Sequence, residues 1–161
     1  MLQKGAHSYQ PENNVIDDKF YWDTSGTLTY DQVLAAVDPV QSDLWGTAFG
    51  SSYSGINDRI PFTSAPSFNY SLRLIAVADM RIHVSAEGAS FGNMKRKVRG
   101  YFTYSKNSYA LSITDPAIET TYLVGKDGWY EVGRALLCVS LGEPYNDNNT
   151  YKLIASVILP P

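Results

Sequence analysis

The stretch from Tyr70 to Glu87 constrains the fold more than any other. Tyr70, Leu72, Leu74, Ala76, Ala78, Met80, Ile82, Val84 and Ala86 are apolar or aromatic at every second position. Ser71, Arg73, Asp79, Arg81, His83, Ser85 and Glu87 lie between them. A period of two places the two sets on opposite faces of an extended chain, the pattern of a half-buried antiparallel strand. The run exceeds the ~3–10 residues of an ordinary strand. It predicts one long strand bent by a bulge near Ala78-Asp79, or two successive strands, with the even-numbered side chains pointing inward. Ile75 and Val77 interrupt the polar set, so the first half is expected to be covered on both faces.

The remainder of the chain repeats this logic. Val98, Phe102 and Tyr104 alternate up to a turn at Lys106-Asn107-Ser108, and Tyr109, Leu111 and Ile113 alternate up to a turn at Asp115-Pro116. Tyr122 and Val124 lead into Lys126-Asp127-Gly128, where Asp-Gly suits a tight hairpin. Arg134–Leu141 and Tyr151–Leu159 are nearly continuous apolar runs joined by the turn-rich residues 142–149, as expected of neighbouring core strands. Short strands separated by turns point to an all-β domain, an antiparallel β-sandwich of jelly-roll-like form.

One short α-helix is expected at about 29–38. Thr29 and Gln32 have capping-box spacing, Val33, Leu34 and Val37 share a face, and Pro39 stops the pattern. Residues 40–69, rich in Gly, Pro, Ser and Thr, read as a long loop or a set of short irregular strands. Residues 1–19 read as an extended N-terminal arm, because Pro11 and Asn13-Asn14 oppose regular structure. The expected organisation is therefore an arm at 1–19 and a single sandwich domain at 20–161.

Composition narrows the function classes. With 44% hydrophobic and 18% charged residues, the chain does not resemble one that stays disordered. No apolar run reaches the ~18 residues of a membrane span, and no apolar signal core follows Met1-Leu2-Gln3-Lys4-Gly5. A virion or cytoplasmic location is expected. The single cysteine, Cys138, excludes an intramolecular disulfide and a thiolate zinc site. Its neighbours Leu136, Leu137 and Val139 suggest a packed, inert thiol. The two histidines, His7 and His83, lie in the arm and on the wet face of the long strand. There is no phosphate-cradling loop, and Asn146-Asp147-Asn148-Asn149 lacks the ligand pattern of a calcium loop. No catalytic constellation, cofactor or metal is expected.

Charge is uneven. Residues 1–58 hold eight acidic and two basic side chains, −6, and residues 59–161 hold eight acidic and eleven basic ones, +3. Lys95, Arg96, Lys97 and Arg99 form the densest basic run, followed by Tyr101, Phe102 and Tyr104. Alternating cations and rings suit single-stranded nucleic acid. A sequence pI of about 5.3 and the absence of an RNA-binding strand signature argue against that partner. The run is read instead as a protected strand edge, or as a contact with the acidic segment 12–58 of another copy.

Lys95, Arg96, Lys97 and Arg99, with Tyr9, Val15 and Ile16 of the arm, are the interface candidates. Trp22, Trp45 and Trp129 are the candidate ligand platforms, since Trp offers a large contact area with few torsions to freeze. These features suggest a non-enzymatic structural or binding protein acting as a homo-oligomer beside other structural proteins of one assembly. A virion component, of the capsid-decoration or fibre type found in bacteriophages, has that character. A carbohydrate-binding module or lectin is the first alternative, and a small hydrolase using Asp17, Asp18, Asp23 or Asp147 is the second.

Overall fold

The computed structural model describes residues 3–4, 7–15, 17, 19, 21 and 23–161. Ile16, Asp18 and Trp22 lie outside the described residues. In chain order the elements are β1 (Gln3–Lys4), β2 (Asn14–Val15), α1 (Tyr30–Ala35), β3 (Arg59–Pro61), β4 (Leu72–Glu87), β5 (Lys95–Tyr104), β6 (Asn107–Ile113), α2 (Pro116–Leu123), β7 (Gly128–Pro144) and β8 (Asn149–Ile158).

The jelly-roll sandwich expected from the strand pattern is corrected to a closed barrel. β4 pairs with β5 and β7, β5 with β6, and β7 with β8, all antiparallel. β6 then pairs with β8 in parallel, and the five strands return on themselves. Alternation cannot distinguish the two architectures, because a barrel and a sandwich each give every strand one dry and one wet face. The expected adjacency of the two apolar runs holds, as β7 beside β8.

The β6–β8 closure is narrow. It consists of Ser112 opposite Leu153 and Ile113 opposite Ile154. On the N-terminal side of these pairs, residues 56–61 fill the space between the strands. Ile56 exchanges two backbone hydrogen bonds with Ala110 (3.3 and 3.0 Å), and Arg59–Pro61 pairs with Tyr151–Asn149. The segment at 40–69, expected as a long loop or short irregular strands, thus contains one short strand that patches the barrel seam, followed by a 3-10 turn at Phe62–Ser67.

β4 is one long strand with the expected bulge. Val77 faces Ala135 and Met80 faces Gly133, so Ala78 and Asp79 lie opposite Arg134 alone. An extra residue inverts the alternation. Before the bulge the odd residues Arg73, Ile75 and Val77 are buried, and after it the even residues Met80, Ile82 and Val84 are. The expectation of one even-numbered inward row is therefore correct only beyond Asp79.

Three further expectations need correction. Residues 116–123 form α2, not a turn and a strand. Asp115 is its N-cap, accepting from Ala117 N (3.0 Å) and Ile118 N (3.3 Å), and Pro116 occupies the first turn, where its missing N–H has no cost. Lys126-Asp127-Gly128 accordingly links a helix to a strand. α1 has the expected capping box but covers only Tyr30–Ala35. The hairpin turn before β6 sits at Ser105-Lys106, both at positive φ (48° and 70°).

Residues 7–15 lie on their own domain. Tyr9 is 1% exposed and its hydroxyl donates to Gly142 O (2.9 Å). Gln10 Nε2 donates to Leu141 O (2.9 Å), and the Glu12 carboxylate accepts from Ser71 N and Oγ. Tyr9, expected at an interface, is core, while Val15 is exposed.

The barrel interior has no room for a side chain at position 100. A Cβ on Gly100 would lie 2.5 Å from Ile154 Cδ1 and 3.1 Å from Met80 Cε. Gly100→Ala is expected to lower the unfolding free energy by about 1–3 kcal/mol, measured by urea denaturation. In an Ile154→Val background, which lacks the colliding methyl, the same substitution is expected to cost measurably less. Equal costs in both backgrounds would contradict the interior placement.

Candidate functional site

β5 starts with the basic run, and strand alternation divides it. Val98, Gly100, Phe102 and Tyr104 are buried, whereas Lys95, Lys97, Arg99 and Tyr101 share the outer face. Arg96, on the other side of the strand, is engaged within the chain. Its Nε–H donates to Asp127 Oδ1 (2.7 Å), and its terminal nitrogens donate to Leu123 O (2.6 Å) and Gly125 O (2.9 Å). It thereby satisfies carbonyls that end α2, where a cation also complements the helix dipole.

Arg99 is buried at 6% exposure. Its Nε and one terminal nitrogen reach the two Glu87 oxygens (3.0 and 2.8 Å). The other donates to Ala110 O (3.2 Å) and lies 3.5 Å from Asp58 Oδ2. Asp58, also buried, accepts from Ser52 N (2.7 Å) and Ser52 Oγ (2.5 Å). The contact expected between the basic run and the acidic segment thus exists inside one chain, where it fastens residues 51–58 over the sheet. Removing one partner from such a buried set costs about 3–5 kcal/mol, so Arg99 is structural.

Lys95 and Lys97 are exposed and, among the described residues, form no ion pair. They line a groove of about 480 Å³ with Arg59, Tyr145, Asp147 and Tyr151. Two connections form its rims. One is residues 88–94 between β4 and β5, where Gly88 has φ +83° and any Cβ would strike Asn93 O. The other is the hairpin at 145–148, with Asn148 at φ 58° and Tyr145 N donating to Asn149 O (2.7 Å). Tyr145, 65% exposed, meets Tyr151 edge-on at 6.1 Å.

The Tyr151 hydroxyl donates to Asp147 Oδ2 (2.6 Å). Burial and that carboxylate push the Tyr151 phenol up to about 12. Burial alone would raise the Asp147 carboxyl, but hydrogen bonds from Tyr151 and Asn149 outweigh it and hold the group below its usual range. Arg59, Tyr145 and Tyr151 were missed in the sequence. The available signal was a tyrosine on each side of the turn-rich 146–149 segment.

The tryptophans separate. Trp45 is fully buried, its indole N–H donating to Tyr70 O (2.9 Å), and is no ligand platform. Trp129 is half exposed and lies on β7 beside His83. Of the candidate carboxylates, Asp17 accepts from Lys19 N (3.0 Å), Asp23 is exposed, and Asp147 belongs to the groove rim. Cys138 is half-buried, with burial and then Asp38 raising its thiol. Among the described residues no cluster of His, Cys, Asp and Glu is placed to hold a metal, and no helix is long and apolar enough to cross a membrane.

The barrel order and the position of α2 between its third and fourth strands are those of an OB fold, a five-stranded Greek-key barrel. The family model described as the Dual OB-containing domain matches residues 1–157. The chain belongs to the Dual OB-containing domain family. No curated protein and no solved structure matches it. The family match carries no indication of a virion component, a lectin or a hydrolase. OB folds commonly place ligands over the second and third barrel strands, between the first–second and fourth–fifth loops. In this Dual OB-containing domain those are β5, β6, residues 88–94 and residues 145–148, the surroundings of the groove.

Beneath the groove, Lys152 is 1% exposed, its ammonium donating to Gly46 O (2.6 Å) and lying 5.6 Å from the Tyr109 ring centre. Burial pulls this lysine down to about 8, against the opposing pull of Asp43 and Asp58. Between pH 8 and 10 the unfolded chain therefore holds a proton that the folded one has released, and stability rises with pH. The gain is expected to be about 2 kcal/mol, read by denaturant unfolding, and absent in Lys152→Met. Above pH 10 the trend reverses, because burial pushes Tyr109 up to about 12 and Tyr151 is raised similarly. These phenols stay protonated in the folded state after they ionise in the unfolded one. Identical pH profiles for Lys152→Met and the unaltered chain would contradict the assignment.

Proposed function

We propose that this domain binds single-stranded nucleic acid along the outer face of β5, between residues 88–94 and 145–148. The observation that carries the reading is the placement of two exposed lysines, Lys95 and Lys97, which form no ion pair among the described residues, in one groove with Tyr145 and Tyr151. A charged track beside accessible rings suits a chain of phosphates bearing flat bases, with cations holding the backbone and rings stacking on bases regardless of sequence. The low overall pI does not oppose it. The acidic excess resides in residues 1–58, whereas residues 59–161, which hold the barrel, carry +3. What a polyanion meets is the local field, not the sum over the chain.

The test is fluorescence anisotropy with labelled single-stranded DNA and RNA over a range of salt concentrations. Affinity is expected to fall steeply with salt, as phosphate contacts release counterions. Replacing both Lys95 and Lys97 by Ala should weaken binding to all sequences alike and lower the salt slope by about 1 to 2. Tyr145→Ala is expected to weaken binding with the salt slope unchanged. Absence of binding at low salt, or a double lysine variant that binds as well as the unaltered chain, would overturn the proposal.

A further inference from the structure

The outer face of β5 continues past the groove. Lys95, Lys97, Arg99 and Tyr101 recur at alternate positions, which puts Tyr101 roughly 20 Å along the strand from Lys95. At that end the surface becomes aromatic. In register, Arg81 of β4 lies opposite Tyr101 of β5, and His83 lies opposite Trp129 of β7. The His83 imidazole stacks on the Trp129 indole at 4.3 Å and 29°, Tyr101 meets it edge-on at 4.6 Å, and the Arg81 guanidinium carbon lies 5.0 Å from its centroid.

Despite these three neighbours, 51% of Trp129 remains in water. The indole is thus held in place yet accessible, so a second ring stacking on it would freeze little additional side-chain motion. Arg81 adds a cation close to that exposed ring. Residues 51–58 approach this end from the far edge of β6, where Ile56 pairs with Ala110, and Ile56 lines a groove there together with Arg81 and Tyr101.

We infer that Arg81, His83, Tyr101 and Trp129 form a second contact point for the same nucleic-acid strand, with a base stacking on Trp129 beyond the phosphates held by the lysines. The inference rests on the nucleic-acid reading of the groove and extends it. It implies a binding track whose full length is used only by longer strands. Short oligomers would be held at the groove alone.

The test compares oligothymidylates of about 4 and about 12 nucleotides, lengths that bracket one OB barrel, on the full chain, Trp129→Ala, Trp129→Phe and the double Lys95→Ala/Lys97→Ala variant. The long oligomer is expected to bind the unaltered chain at least about tenfold more tightly than the short one. Trp129→Ala should remove about tenfold of affinity for the long oligomer, as loss of one stacked base does, and leave the short one unchanged. Trp129→Phe should keep part of the gain, and the lysine variant should lose both. In the unaltered chain the long oligomer should also shield tryptophan emission from acrylamide, with the shielding absent in Trp129→Phe. This readout does not depend on how the alanine variant folds.

Equal long-oligomer affinity for Trp129→Ala and the unaltered chain, or no shielding, would overturn the inference and leave the groove reading standing. Failure of the unaltered chain to bind either oligomer would remove the groove reading and this one with it. Self-association lost in Trp129→Ala without any change in oligomer affinity would assign the ring to a second copy of the chain and overturn the inference.

Discussion

A five-stranded sheet becomes a barrel only if its first and last edges meet, and here two residue pairs between β6 and β8 achieve this. Everything on the outer face depends on how the rest of that seam is sealed. The backbone of residues 56–61 supplies the missing partners on both sides, since buried N–H and C=O groups left unpaired would be costly. The Arg99 guanidinium, gripped by Glu87 on the sheet and by Asp58 on the seal, ties the inserted segment to the wall. Such a cluster is held by mutual neutralisation, because a lone charge at that depth would be expelled or neutralised. The division of labour in the basic run follows. Its two arginines serve the fold, one at the seal and one at the end of α2, and its two lysines remain for solvent or a ligand.

The bulge in β4 has a comparable reach. Two residues of β4 sharing one neighbour on β7 invert which side chains face inward, and the strand's second half then presents Arg81 and His83 outward in line with β5. Without that inversion the same positions would enter the interior, where a cation and an imidazole have no partners. The aromatic group at Trp129 is therefore a product of backbone geometry as much as of composition. Asp79, at the bulge, accepts from Thr103 N (3.1 Å) and ties the irregularity to β5.

Much of this was legible in the residues. The strand character of 72–87, its bulge, the capping box at Thr29, the adjacency of the two apolar runs and the wet position of His83 all follow from local periodicity and turn chemistry. What did not follow is equally specific. Closure was hidden because the pattern of one strand reports its two faces and not the identity of its edge partners. α2 was hidden because Asp115-Pro116 serves a turn and a helix start equally well, and the helix buries no residue fully. The groove was hidden because Arg59, Lys97 and Tyr151 are far apart in sequence. Net charge is silent for a related reason, since a sum over the chain carries no information about which wall the lysines occupy.

The seal also has a consequence for the order in which the domain can be completed. Residues 59–61 precede every barrel strand in the chain, yet their partners, 149–151, belong to the last one. Contacts of such wide sequence separation form late, after most of the loop entropy has already been spent. A nascent polypeptide therefore carries an idle edge through nearly the whole of barrel assembly. The wall that faces the groove is the final piece to be laid, so the groove takes shape only as the architecture is finished.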